Sequence, residues 1–194
     1  MLEFADIIGI AAFSISGFII GVKERLDLLG VVLSAYFTAL GGGIIRDVLA
    51  KREIFAFHNA SAAFIVLIVL IVGFYFKIHK INVENRKIFV LSDAIGLASF
   101  SISGAIVGVE SGFNLFGVVF LALITAVGGG MIRDVLINKV PFILKEKFYA
   151  TISILVGFGV YFLGTSYEIL GLILVISVII RLIAYYQNWH LPKI

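Results

Sequence analysis

The sequence contains no cysteine, and only 14% of its residues are charged. Without thiols there is no disulfide, no thiolate metal site and no cysteine nucleophile. The scarcity of charge, set against 61% hydrophobic residues and a mean hydropathy of +1.15, lies outside the composition of soluble domains. Patterns that carry chemistry are missing as well: there is no nucleophile elbow, Walker loop, HExxH motif or paired-carboxylate arrangement. His58, His79 and His190 stand apart, with no metal-ligand spacing between them. An enzyme is therefore not expected, nor a cofactor or resident metal. The formal net charge of +3 does not point to nucleic acid, because Lys and Arg sit in short linkers and form no continuous patch.

What the chain does have is long apolar runs. At about 20 residues per crossing, seven spans are expected, at 4–22, 28–49, 60–76, 89–109, 115–136, 148–164 and 169–186. The first carries Glu3 and Asp6 and no basic start, so it reads as a retained span and not as a signal peptide. The linkers are too short for a second domain, which makes residues 1–194 one all-α polytopic membrane domain.

The chain is also internally duplicated. Residues 6–57 align without gaps on 93–144, an offset of 87 (93 − 6), with more than half of the positions identical. Asp6 matches Asp93, and Phe13-Ser14-Ile15-Ser16-Gly17 matches Phe100-Ser101-Ile102-Ser103-Gly104. Thr38 matches Thr125, and Gly41-Gly42-Gly43-Ile44-Ile45-Arg46-Asp47 matches Gly128-Gly129-Gly130-Met131-Ile132-Arg133-Asp134. Each copy (4–80 and 89–165) holds three spans, an odd number, so the second must enter the membrane from the opposite face; a seventh helix at 167–187 follows. Two inverted three-helix repeats are an architecture of membrane transport proteins. One side collects Lys23, Arg25, Lys77, Lys80, Arg86, Lys87, Lys139, Lys145, Lys147 and Lys193, whereas the other holds only Arg46, Lys51 and Arg52. By the positive-inside rule the basic side is cytoplasmic, with the N-terminus outside and the C-terminus inside a cell (inner) membrane.

Three successive glycines continue a helix poorly, at about 1 kcal/mol each relative to Ala. The triplets Gly41, Gly42, Gly43 and Gly128, Gly129, Gly130 therefore predict that the second and fifth spans are broken beside a polar cavity, where freed backbone groups are satisfied. Freed carbonyls there would be ligands for a hard cation, and freed N–H groups would face the same cavity. The alternative is that the glycines only permit close helix packing. Arg46 and Asp47, like Arg133 and Asp134, are helix neighbours about 100° apart, so each is expected to find another partner. The order of the spans pairs Asp6 with Arg46 and Asp93 with Arg133, either fastening spans or lining a path. Ser14, Ser16, Ser101, Ser103, Thr38 and Thr125 are candidates to line the same route, or to bond back to their own helices. Trp189, Tyr185 and Tyr186 fit an interfacial anchor, with Arg181 snorkelling to that surface and the inner basic clusters meeting anionic lipid.

Two copies of Gly-Gly-Gly-x-x-Arg-Asp, each preceded by a Phe-Ser-x-Ser-Gly first span, with a seventh span appended, resemble the prokaryotic branch of the trimeric intracellular cation (TRIC) channels. Members of this branch also carry the label of glycine transporters. The resemblance implies a homotrimer with a pore inside each protomer, bounded mainly by the first, second, fourth and fifth spans and kinked at the triplets. It implies permeation of monovalent cations, chiefly potassium, with sodium as another candidate, and places Arg46 and Arg133 close to the pore. Ile54 stands where relatives often carry a proline, as Pro141 does after the second motif, which puts the shape of the first linker in question. The sequence thus leads to a passive, potassium-permeable channel, with a secondary transporter for a small neutral solute such as glycine as the runner-up. A structural scaffold would account for the apolar spans but not for the doubled motif.

Overall fold

A computed structural model describes residues 2–76, 86–145 and 148–189, apart from the side chains of Arg86, Phe142 and Lys145. Lys77, His79, Lys80, Lys147, His190 and Lys193 lie outside the described residues. The described residues form nine helices and no strand. These are α1 (Leu2–Lys23), α2 (Leu28–Leu49), α3 (Phe55–His58), α4 (Ala60–Tyr75), α5 (Arg86–Glu110), α6 (Leu115–Leu136), α7 (Phe142–Lys145), α8 (Ala150–Leu163) and α9 (Tyr167–Tyr186). Five of them, α1, α2, α5, α6 and α9, are long and apolar enough to cross a membrane; α4 and α8 are shorter apolar helices. At about 1.5 Å rise per residue, the 16 residues of α4 and 14 of α8 fall short of a hydrocarbon core about 30 Å thick.

The duplication governs local structure down to its turns. Asp27 caps α2 by accepting from Gly30 N at 2.7 Å, and its counterpart Asn114 caps α6 by accepting from Gly117 N at 2.9 Å. α1 and α5 end in the same double hydrogen bond: Leu26 N donates to Gly21 O and Arg25 N to Val22 O, as Phe113 N does to Gly108 O and Gly112 N to Val109 O. That closure needs a left-handed residue, Arg25 (φ 55°) in the first copy and Gly112 (φ 69°) in the second. The linker after each motif closes in a single-turn helix at the matching place, α3 and α7, so Ile54 does there what Pro141 does in the other copy.

The two long central helices, α1 and α5, run antiparallel. Asp6 meets Ser103, Gly9 lies under the Phe100 ring, Gly96 under the Phe13 ring, and Ser16 meets Asp93. The residue numbers in every one of these pairs have the same sum, as a fixed antiparallel register requires. Phe13 and Phe100 touch at the middle, with ring centroids 5.3 Å apart. α2 packs on α1 through Gly17, where an added Cβ would lie 2.6 Å from Ser34 O, and α6 packs on α5 through Gly104 in the same way, 2.5 Å from Leu121 O. α4 covers α1 and α2, α8 covers α5 and α6, and α9 lies outermost against α5 and α8. Burial follows this order, with 89% of the apolar window of α5 buried and 22% of that of α9. The outward faces of α4, α8 and α9 expose Phe64, Ile68, Leu155, Phe162, Leu172 and Val175, an apolar belt that water would not tolerate over this extent.

The triplets do not break their helices. α2 is continuous from Leu28 to Leu49 and α6 from Leu115 to Leu136, and the two cross at the glycines. A Cβ added to Gly42 would stand 2.0 Å from Thr125 O, and one added to Gly129 would stand 2.2 Å from Thr38 O. The expected break is thus corrected to a close crossing of intact helices. In hydrocarbon an α-helix satisfies its own backbone, which outweighs the poor propensity of glycine, and the missing side chains let backbone approach backbone.

Candidate functional site

On either side of this crossing lies a small polar recess, and the two are built from matching residues. Recess one is lined by Asp6, Gly43, Arg46 and Asp47, with Phe55 from α3 and Phe100 from the other copy. Recess two is lined by Asp93, Gly130, Arg133 and Asp134, with Tyr149 ahead of α8 and Phe13 from the other copy. Both open outward, and the free space inside each is about that of a single water molecule. Each phenylalanine therefore closes the recess of the opposite half.

In recess one every charge is paired. The Arg46 guanidinium is 2% exposed; Nη1 donates to Asp6 Oδ1 at 2.6 Å and Nε to Asp47 Oδ1 at 2.8 Å. Ser103 Oγ, reaching across from α5, accepts from Arg46 Nη1 and donates to Asp6 Oδ1 at 2.6 Å. The second oxygen of Asp47 accepts from Phe55 N at 3.0 Å, which fixes the start of α3 to the pair. Asp6–Arg46 is the contact expected from the order of the spans. The contact between neighbours is not: the long arginine stem curls back so that Nε meets the adjacent carboxylate, although the two Cβ atoms diverge. A buried ion pair survives only when its remaining lone pairs and protons are also satisfied, and here Ser103 and Phe55 N do that.

Recess two departs from this pattern. Arg133 pairs with Asp134, at 2.9 Å from Nε and 2.8 Å from Nη2, while its Nη1 is buried without a hydrogen-bond partner. The expected Asp93–Arg133 ion pair is not among the salt bridges of the described residues. Asp93 instead accepts a long bond from Ser16 Oγ, 3.4 Å, and is hydrogen-bonded to Tyr149. Arg181 of α9 also acts on it, together with Arg133. Arg181 is 1% exposed, with its guanidinium 4.8 Å from the centre of the Tyr149 ring, so it faces the protein core and does not snorkel outward. The position matching Tyr149 in the first copy is Ala62, and α9 follows only the second copy. Both facts explain why the second carboxylate finds different partners.

Sequence reasoning missed Tyr149 and Arg181. The available signal was the spacing of Leu170, Ser177, Arg181 and Ala184, which puts the arginine on the buried face of α9. Of the hydroxyls, Ser16 and Ser103 reach the carboxylates of the opposite copy. Ser14, Ser101, Thr38 and Thr125 each donate to the carbonyl four residues back, at 2.6 Å. Trp189 packs edge-on against Phe148 and donates from Nε1 to Gln187 at 2.8 Å.

A helical membrane protein with a doubled, charge-lined core is what the fold and these recesses define, and the comparisons with known proteins agree. The sequence profile described as "Glycine transporter" matches twice, over residues 3–78 and 90–165. The UPF0126 membrane protein YvgT of Bacillus subtilis is 39% identical over 98% of this chain and 95% of its own length. A crystal structure of a prokaryotic TRIC channel in 0.5 M KCl superposes with a TM-score of 0.89 at 34% identity, covering 98% of both chains. The TRIC trimeric intracellular cation channel orthologue from Rhodobacter sphaeroides gives a TM-score of 0.86 at 25% identity, over 96% of this chain and 98% of the other. The chain belongs to the prokaryotic TRIC family, the family to which the glycine transporter profile and the UPF0126 membrane proteins also refer.

Proposed function

We propose that the protein is a passive channel for monovalent cations, permeable to potassium, acting as a homotrimer with one path in each protomer. The observation that carries this reading is the pair of recesses: buried carboxylates stand on both sides of a core closed by the α2–α6 glycine crossing and by the Phe13–Phe100 contact. Asp6 and Asp47 on one side and Asp93 and Asp134 on the other attract a cation. Arg46 and Arg133 are neutralised in part by these neighbours, which lowers the barrier a bare arginine would raise. Conduction requires α2 and α6 to part at Gly41, Gly42, Gly43 and Gly128, Gly129, Gly130. The likeness to structures described as cation channels supports the same reading.

The antiparallel register of α1 and α5 and the twofold match of the family profile support inverted repeats at 4–80 and 89–165, with α9 as a seventh span. The excess of Lys and Arg at the ends of α1 and α6 supports a cytoplasmic placement of that side in the inner membrane. The profile's description favours a second reading, a carrier for glycine. Reconstitution in a planar bilayer decides between them: unitary currents in KCl are the expected result. Saturable glycine uptake by proteoliposomes, with no unitary current, would establish the carrier.

A further inference from the structure

The two recesses carry matching aspartate and arginine residues but are unequal in charge. Recess one encloses Asp6, Asp47 and Arg46, a formal charge of −1. Recess two encloses Asp93, Asp134 and Arg133, and would carry the same −1 but for Arg181, which lies buried on the ring of Tyr149, the residue hydrogen-bonded to Asp93. With Arg181 included, the formal charge there is zero. The extra cation comes from α9, which has no counterpart in the first half. No other buried side chain in the described core breaks the match between the halves by a whole charge.

We propose that Arg181 makes the path electrically asymmetric, so that cations pass more readily from the recess-one side than from the recess-two side. This rests on the channel reading above. A cation that must cross the contact between α2 and α6 starts from whichever recess the voltage fills, and its rate of crossing scales with its occupancy of that recess. One unit charge about 10 Å from an ion, at an effective dielectric between about 20 and 80, changes that occupancy roughly two- to fifteenfold. The Asp47 and Asp134 carboxylates match across the halves and cancel in the comparison. Arg181 does not cancel. It is thus a positioning charge that sets the direction of easier flow, apart from its packing against Tyr149.

The test is the current–voltage relation of single channels in planar bilayers with the same KCl solution on both sides. The parent protein at 0.1 M KCl is expected to pass about twofold or more current at one polarity than at the opposite polarity of equal size. Because Arg181 is buried, bulk salt screens it little, so the asymmetry is expected to persist at higher KCl. Arg181→Gln should bring the ratio close to one at 0.1 M, whereas Arg181→Lys should keep it. A symmetric parent at 0.1 M overturns the inference and leaves the channel standing. An unchanged ratio in Arg181→Gln also overturns it, and should that variant fail to fold, Arg181→Met, read in the same bilayers, decides in its place. A parent with no unitary current removes the channel reading, and this inference with it.

Discussion

Alanine substitutions along the two triplets separate a helix crossing from a helix break. In a crossing, the three glycines of each triplet are unequal. A Cβ at Gly42 would meet Thr125 O at 2.0 Å and one at Gly129 would meet Thr38 O at 2.2 Å, so backbone must retreat from backbone by more than 1 Å to restore ordinary contact. At Gly43 and Gly130 the nearest atoms are arginine Nη2 at 4.0 and 3.8 Å, and a methyl group fits. Gly41 and Gly128 lie between these cases, since the close atoms, at 2.9 Å, are the movable tips of Ile132 and Ile45. Overpacking of a tight contact costs about 1–3 kcal/mol, and the higher helix propensity of alanine returns about 1 kcal/mol. Gly42→Ala and Gly129→Ala should therefore lose up to about 2 kcal/mol net, read as a fall in Tm, while Gly43→Ala and Gly130→Ala gain about 0.5–1 kcal/mol. Thermal unfolding in detergent, followed by loss of the monodisperse species, reads all six variants. If Gly43→Ala loses as much as Gly42→Ala, the glycines serve a backbone conformation that alanine cannot adopt, and the crossing is the wrong explanation.

Two further outcomes are expected from the repeat itself. Arg25 is exposed and holds a left-handed conformation that glycine takes at the matching Gly112, so Arg25→Gly should stabilise the protein by about 0.5–1 kcal/mol and Gly112→Ala should destabilise it by about as much, measured by the same unfolding assay. Ser103 bridges Arg46 and Asp6 with short bonds, whereas Ser16 makes one long bond to Asp93. Ser103→Ala should cost about 1.5–3 kcal/mol, as for hydrogen bonds to charged groups, and Ser16→Ala less than about 1 kcal/mol; equal losses would show that the 3.4 Å contact is stronger than its length implies.

The features legible in the sequence are those that the duplication repeats. Asp6 and Arg46 were found because the order of the spans puts the start of α1 beside the end of α2, a constraint any membrane topology imposes. The same rule applied to Asp93 and Arg133 failed, because it knew nothing of α9 or of Tyr149 standing where the first copy has Ala62. The triplets were located but misjudged. Helix propensity measured in water charges each glycine for exposed backbone, and at this crossing the neighbouring helix covers that backbone. Ile54 misled in the opposite sense: a missing proline signalled a different linker, yet Asp47 Oδ2 holds Phe55 N and closes α3 without it.

Divergence between the halves also predicts which arginine the fold depends on. Arg46 is the only cation bonded to Asp6 and Asp47 among the described contacts, and both carboxylates are almost wholly buried, at 3% and 2% exposure. Arg46→Met leaves two buried carboxylates without a counter-charge, with only Ser103 and Phe55 N still bonded to them, and breaking such a pair costs about 3–5 kcal/mol. Arg133→Met deprives only Asp134, because Asp93 keeps Tyr149, Ser16 and the influence of Arg181, and its Nη1 makes no bond to lose. A loss of about 1–3 kcal/mol is expected there. Adding Asp6→Asn to Arg46→Met should recover part of the stability, since the amide no longer needs a counter-charge; the same rescue by Asp93→Asn in Arg133→Met should be small. Thermal unfolding of the four variants settles the order. Equal losses for the two methionine variants would mean that Arg181 does not support Asp93, and that the halves are energetically alike despite their different contacts.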